Sequence, residues 1–171
     1  MNDNNDAVTP ELIARKAAAL FREKSYHGTS MRDIGEAVGL DKSSLYYHFP
    51  SKQAILDQIN QNIVTAFVPQ VSRVIEADIS PEEKLRIFIR KHMMLMSENQ
   101  DEFMVNLTDN RGVPIKPEDD LTLNHRRYRA FMTQIIEDGV KSGSWKTDSP
   151  GIATRFILGA LNYMLFWYKP N

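Results

Sequence analysis

Twice in this chain a hydroxyl residue, a proline and a carboxylate stand in a row: Thr9-Pro10-Glu11 and Ser80-Pro81-Glu82. Each triplet is a helix start. The hydroxyl accepts an orphan backbone N–H, the proline takes a first-turn position that needs no N–H, and the carboxylate meets the positive end of the helix. Helical period follows both. Leu12, Ile13, Lys16, Ala17, Leu20 and Phe21 mark one stripe to about Lys24, and Leu85, Phe88, Ile89, His92, Met93 and Met96 mark another. No stretch alternates as a hairpin strand would, so the predicted fold class is all-α.

The breaks between stripes set the other helices. Ser25-Tyr26-His27-Gly28 ends the first, and Thr29-Ser30 opens a short helix through Met31, Ile34 and Val38 that Gly39 closes. Asp41 caps a third helix from Lys42 to Phe49, which Pro50 stops. Ser51 caps a long helix over 52–77 with Ile55, Ile59, Ile63, Ala66 and Phe67 on one face, and Pro69 is expected to kink it or end it early. A shorter helix is expected from Gln100 to Thr108, a turn-rich segment over 109–120, and a long helix to about Ser142 with Leu121, Tyr128, Met132 and Ile135 inward. Gly143 ends that helix, and the last one, 150–168, is apolar almost all round and so is expected to be buried on more than one side, by its own core and by a second subunit. The predicted organisation is a disordered tail over 1–8, a DNA-binding domain over 9–51, and a larger helical domain over 52–171 for ligand binding and dimerisation.

Two short helices joined by a glycine turn, the second polar at its start, describe a helix-turn-helix. In that arrangement Lys42, Ser43 and Ser44 stand where base edges pass, while Tyr47, His48 and Lys52 stand where phosphates pass. The helix starts at Ser30 and Lys42 add N–H groups for phosphate. Leu45 and Phe49, four apart, would anchor the helix on Leu20, Phe21, Ile34 and Val38, with Tyr46 at the boundary. Periodicity alone leaves a second reading open, a small helical core with surface tyrosines. Charge does not decide between them: the chain carries 21 Lys and Arg against 22 Asp and Glu, and residues 1–52 hold seven of each.

The run FREKSYHGTSMRDIGEAVGLDKSSLYYHFPSK resembles the amino-terminal signature of TetR-family transcriptional regulators. Tyr26, Thr29-Ser30, Ile34-Gly35, Ala37-Val38-Gly39, Tyr46-Tyr47-His48-Phe49 and Lys52 carry the resemblance over roughly residues 10–60. Ser25 and Ser43 replace common glycines, and Gly35 replaces a common alanine. The resemblance implies that Ser30, Lys42, Ser43, Ser44, Tyr46, Tyr47, His48 and Lys52 contact operator DNA. It further implies a cytoplasmic homodimer on a palindromic site, a carboxy-terminal effector domain and release of DNA when a small molecule binds. Two recognition helices would sit about 34–36 Å apart, with Val68-Pro69 and Glu76–Pro81 as candidate points of movement.

Residues available for an effector pocket are Phe67, Phe88, His92, Met93, Met96, Phe103, Tyr128, Phe131, Trp145 and Tyr163, although plain helical core uses the same types. RRYRAFMTQIIEDGVKSG and GALNYMLFWYKP, with Leu161-Asn162-Tyr163 and Trp167-Tyr168-Lys169-Pro170, resemble a subgroup that answers to fatty acyl-CoA or related thioesters. Arg126, Arg127 or Arg129 could then pair with coenzyme A phosphates, or simply form a solvated face. The efflux-type regulators of the same fold are the alternative. The dimer face is expected at Phe156, Ile157, Ala160, Leu161, Met164, Leu165 and Tyr168. The resemblance also predicts a further helix after Pro170 to complete a four-helix interface. Without it the dimer is expected to be weakened and Leu161, Met164, Leu165 and Tyr168 to invite aggregation.

An enzyme is disfavoured. His27, His48, His92 and His125 form no metal-ligand pair, and there is no nucleophile elbow or phosphate-cradling glycine loop. Cysteine is absent, which removes disulfides and thiolate chemistry and agrees with a reducing cytoplasm. The start lacks a signal peptide, and apolar runs fall far short of the roughly 18–20 residues that span a membrane. No cofactor or metal is expected. An interaction protein with a vestigial helix-turn-helix remains the rival from another class.

Overall fold

The computed structural model describes residues 8–108 and 120–168, with the backbone alone for 120–122. The tail over 1–7, the turn-rich 109–119, the inward side of Leu121, Lys169-Pro170 and anything beyond lie outside the described residues. Among the described residues there are eight α-helices, a closing 3-10 turn and no strand. They are α1 (Pro10–Lys24), α2 (Met31–Val38), α3 (Lys42–His48), α4 (Lys52–Glu76), α5 (Pro81–Glu98), α6 (Gln100–Thr108), α7 (Asp120–Ser142) and α8 (Pro150–Tyr163), with the 3-10 turn at Met164–Phe166.

The helices start where local chemistry directs. Thr9 Oγ1 accepts from the Leu12 N–H at 3.2 Å, Asp41 Oδ1 from Ser44 at 2.7 Å, Ser51 Oγ from Ala54 at 3.1 Å and Ser80 Oγ from Glu83 at 3.3 Å. Gly39 stops α2 with φ 70°, a left-handed conformation that costs glycine nothing, while the Leu40 N–H reaches back to the Gly35 carbonyl at 2.9 Å. Pro69 lies inside α4, which runs through it to Glu76, and Ser72 Oγ donates to the Pro69 carbonyl at 3.1 Å.

The chain divides into two compact units, Met1–Asn62 with Asp101–Val113, and Ile63–Gln100 with Pro114–Asn171. The division falls within α4 rather than at Ser51. Ile55, Leu56 and Ile59 of α4 join Ile13, Ala17, Phe21, Ile34, Leu45 and Phe49 in the first core, as does Val105 of α6. Two polar ties hold α6 in that unit: Arg22 to Asp101 at 2.7 Å, and Asn106 Nδ2 donating to Asn60 Oδ1 at 2.8 Å.

The second core gathers Val71, Phe88, Met132 and Ile135, with Leu85, Tyr128, Phe131, Trp145, Ile157 and Leu158 against it. Trp145 closes the end of α7: its Nε1 donates to the Ile136 carbonyl at 2.9 Å, and a Cβ at position 139 would lie 2.0 Å from its ring, so Gly139 makes room for the indole. Within the single chain, α8 and the 3-10 turn after it are covered on one side. Ile157 packs on the core and Leu165 is buried, but Ile152, Phe156, Tyr163, Phe166 and Trp167 are exposed.

Candidate DNA-binding surface and effector core

α3 is fixed from beneath and open above. Leu45 is 1% exposed and Phe49 is buried, four residues apart on one face, while Tyr47 is 89% exposed. Lys42 and Ser43 are exposed, Ser44 and His48 half-buried, and the Lys42 ammonium lies 5.9 Å from the centre of the Tyr46 ring. Tyr47 and His48 meet edge to face at 5.7 Å, and with Ser43, Ser44, Leu40 and Val8 they line a hollow of about 470 Å³. A surface of hydroxyls, one ammonium and polar-tipped rings on a short rigid helix suits a groove edged by phosphates.

The helix ends are less free than the sequence suggests. The Ser30 N–H donates to Asp33 Oδ2 at 2.8 Å, the Ser30 hydroxyl donates to the same oxygen at 2.5 Å, and the Asp33 N–H returns to Ser30 Oγ at 3.1 Å. These bonds, the Ser30 side chain foremost, hold the Asp33 carboxyl below its ordinary range. At α3 the Ser44 N–H, first among its causes, does the same for Asp41. Lys52 is engaged elsewhere than the sequence places it. Its Nζ donates to the carbonyls of Tyr26 at 2.5 Å and Thr29 at 2.6 Å, and sits 4.4 Å from the centre of the Tyr26 ring. Those partners, 26 and 23 residues away, tie the start of α4 to the turn before α2.

In the second unit, His92 of α5 lies buried between two partners. Its Nδ1 is 2.6 Å from the Tyr128 hydroxyl of α7 and its Nε2 is 3.2 Å from Asn162 Oδ1 of α8. The amide oxygen can only accept, so Nε2 carries the proton and Nδ1 accepts from Tyr128. Phe67 meets both rings at near right angles, at 5.6 and 5.3 Å, and Phe88 lies 5.1 Å from Tyr128. Burial lowers the His92 pKa to about 4 and raises that of Tyr128. Met96 is buried, with Met93 and Phe131 half-buried.

Two residues named with these from sequence lie elsewhere: Phe103 belongs to the first unit, and Tyr163 is 66% exposed with its ring 5.7 Å from Phe166. Asn162, which sequence reasoning did not assign to the pocket, completes the chain; its place beside Tyr163 in the Leu-Asn-aromatic run was the available signal. Arg126, Arg127 and Arg129 are exposed, and Arg126 and Arg129 with Thr133, Gln134 and Lys141 border a hollow of about 670 Å³ that Glu137 and Asp138 also line. Of the expected dimer face, Phe156, Ala160 and Tyr168 are exposed and Leu161 and Met164 half-buried, whereas Ile157 packs against the second core and Leu165 is buried, so these two face inward rather than toward a partner. Among the described residues no helix is long and apolar enough to cross a membrane.

The three short helices with an outward α3 define a helix-turn-helix DNA-binding protein. Residues 13–59 match the model for bacterial regulatory proteins of the tetR family, and residues 78–171 match the tetracyclin repressor-like C-terminal domain. The chain belongs to the TetR family of transcriptional regulators. The HTH-type transcriptional repressor KstR2 of Mycolicibacterium smegmatis is 23% identical over 161 residues, 93% of this chain and 78% of that protein. The structure of the TetR family regulator PfmR from Thermus thermophilus superposes with a TM-score of 0.86 at 30% identity, covering 96% of this chain and 88% of that one. That of AibR in complex with isovaleryl coenzyme A and operator DNA does so with 0.84 at 24% identity, covering 95% and 88%.

Proposed function

We propose that this chain is a cytoplasmic repressor that sits on a palindromic operator as a homodimer and leaves it when a coenzyme A thioester occupies the second unit. The observation that carries the DNA half is α3 itself, anchored by Leu45 and Phe49 with Tyr47 almost fully exposed. Lys42, Ser43 and Ser44 read base edges, and Ser30, Tyr46, Tyr47 and His48 hold the phosphate path, with Lys52 supporting the turn behind them. The effector half is supported by the polar chain Tyr128–His92–Asn162 within an apolar surround, and by the isovaleryl coenzyme A found with AibR. Phe67, Phe88, Met93, Met96 and Phe131 would meet the acyl chain, and Arg126, Arg127 and Arg129 the phosphates. The exposed apolar side of α8 serves the homodimer. A ligand that binds the wide-set dimer better than the DNA-bound one is sufficient for release.

The test is fluorescence anisotropy of palindromic duplexes from the DNA flanking the coding gene, at two salt concentrations. Isovaleryl coenzyme A, a long-chain acyl-CoA or free coenzyme A is then added. Binding that falls steeply with salt, and release by a thioester but not by free coenzyme A, is the expected result. If no duplex binds, the operator assignment fails. Release by apolar cations with no response to thioesters would move the effector to the efflux type.

A further inference from the structure

The chain enters the first unit beside its DNA-facing surface. Val8 is half-buried and packs against the first core, and it lines the hollow of about 470 Å³ together with Ser43, Ser44, Tyr47 and His48. The residues that precede Val8 are therefore tethered to the edge of the surface assigned to the operator. They read MNDNNDA, with Asp3 and Asp6 and no Lys or Arg. They lie outside the described residues, yet covalent geometry alone bounds where their charges can be. A trans chain advances at most about 3.6 Å per residue, so the Cα of Asp6 lies within about 7 Å of that of Val8, and the Cα of Asp3 within about 18 Å.

Those bounds meet the range over which charge acts in salt water. The Debye length is about 10 Å at 0.1 M and about 30 Å at 0.01 M. Asp6 is thus within one Debye length of this edge at ordinary salt, and Asp3 joins it at low salt, whichever path the segment takes. The surface has little positive charge to set against them. Residues 1–52 hold seven Lys and Arg and seven Asp and Glu, and Lys52 is turned to the carbonyls of Tyr26 and Thr29. Of the other carboxylates, Asp33 and Asp41 cap α2 and α3, and Glu36 pairs with Arg32, so their charge serves local structure. The cap of α1 is Thr9, which leaves that task to neither Asp3 nor Asp6. We propose that Asp6, with Asp3, is an electrostatic brake on DNA binding: the pair lowers the affinity for every duplex by the same factor and leaves the choice of sequence to α3. This rests on the reading of the chain as an operator-binding protein. Sequence-independent binding is almost wholly electrostatic, so the brake keeps it low while base contacts decide where the protein stays.

The experiment is fluorescence anisotropy of the full chain on an operator duplex and on a scrambled duplex of equal length, from about 0.05 to about 0.5 M salt. The variants are Asp6→Asn, Asp3→Asn, the two together, and Asp3→Lys with Asp6→Lys. The double asparagine variant should bind both duplexes roughly 3- to 30-fold more tightly at the low end of that range, with the gain gone at the high end. Asp6→Asn should carry most of the gain at about 0.1 M, and Asp3→Asn should show only at lower salt. The double lysine variant should bind more tightly still and with a steeper salt slope, while the operator-to-scrambled ratio stays at the wild-type value throughout. Three results overturn the proposal: affinities unchanged in both double variants; weaker binding in the asparagine variants, which marks a segment that holds DNA; or a gain confined to one of the two duplexes, which marks base reading. A wild type that binds neither duplex at any salt ends the operator reading and this proposal with it.

Discussion

Tyr47 in the first unit and Phe156 in the second are both large rings left in water, 89% and 78% exposed. Their neighbours separate them. Tyr47 ends in a hydroxyl and stands among Ser43, Ser44 and His48. Phe156 has no polar atom to offer, and Ile152, Tyr163, Phe166 and Trp167 are bare nearby in sequence. A ring with a polar tip suits a wet, charged partner, while a row of rings and branched chains suits a dry one. The interiors differ in the opposite sense. The first core is dominated by aliphatic side chains with Phe21 and Phe49 among them, whereas the second carries a polar chain through its aromatic heart.

Removing the anchor beneath the first surface gives the largest effect expected. Leu45→Ala should lower unfolding stability by about 2–5 kcal/mol and abolish DNA binding, as read by denaturant titration and anisotropy. A loss under about 1 kcal/mol would mean that α3 does not depend on this anchor.

The second interior can be probed with acid. His92 holds a folded-state pKa of about 4 against an ordinary 6.5, so the unfolded chain binds the extra proton first. Its neutral form therefore contributes stability in full above pH about 6.5, and that contribution is lost as pH falls towards about 4. The integrated loss is about 3 kcal/mol. Unfolding measured from pH 7.5 to 4 should show it, and His92→Gln should flatten that part of the profile. An unchanged profile would place the acid sensitivity on other groups.

The outer side of α8 comes next. Phe156→Glu should cost the homodimer about 2 kcal/mol, seen as a roughly thirty-fold weaker dimer in sedimentation, whereas Tyr47→Glu should leave the oligomeric state alone. Equal behaviour of the two would erase the distinction between wet and dry faces.

The smallest expected effects divide Tyr47 from Lys52. Tyr47→Phe should weaken operator binding by about 1 kcal/mol with stability unchanged. Lys52→Ala should lower the melting temperature through the freed carbonyls of Tyr26 and Thr29 and leave the salt slope of binding intact. A slope reduced by about one in the Lys52 variant would return that ammonium to a phosphate.

What the sequence made legible follows the range of the interaction. Thr9, Asp41, Ser51 and Ser80 each cap through an N–H three residues on, so their role can be read within one turn. The division of Leu45 and Phe49 from Tyr47 follows from helical spacing, and the structure has it. Lys52 was not legible in this way, because its carbonyl partners stand across a different turn. α8 was unreadable for another reason. A helix apolar on every side carries no phase, so nothing local told that Tyr163 points outward, that Leu165 in the 3-10 turn beyond it points inward, or that Asn162 reaches His92. The end of the first unit within α4 was equally hidden, since Ile55, Leu56, Ile59 and Ile63 continue one unbroken stripe across it.

Trp145, with its indole seated over Gly139 and bonded to the Ile136 carbonyl, gives the molecule an optical asymmetry. The chain has two tryptophans, and the other, Trp167, is exposed on the same unit. Emission excited near the red edge of indole absorption thus reports the second unit alone, a blue-shifted component from Trp145 and a quencher-accessible one from Trp167. Effector titrations can therefore be followed without a label, and a spectral change seen on adding DNA would have to arrive from the neighbouring unit.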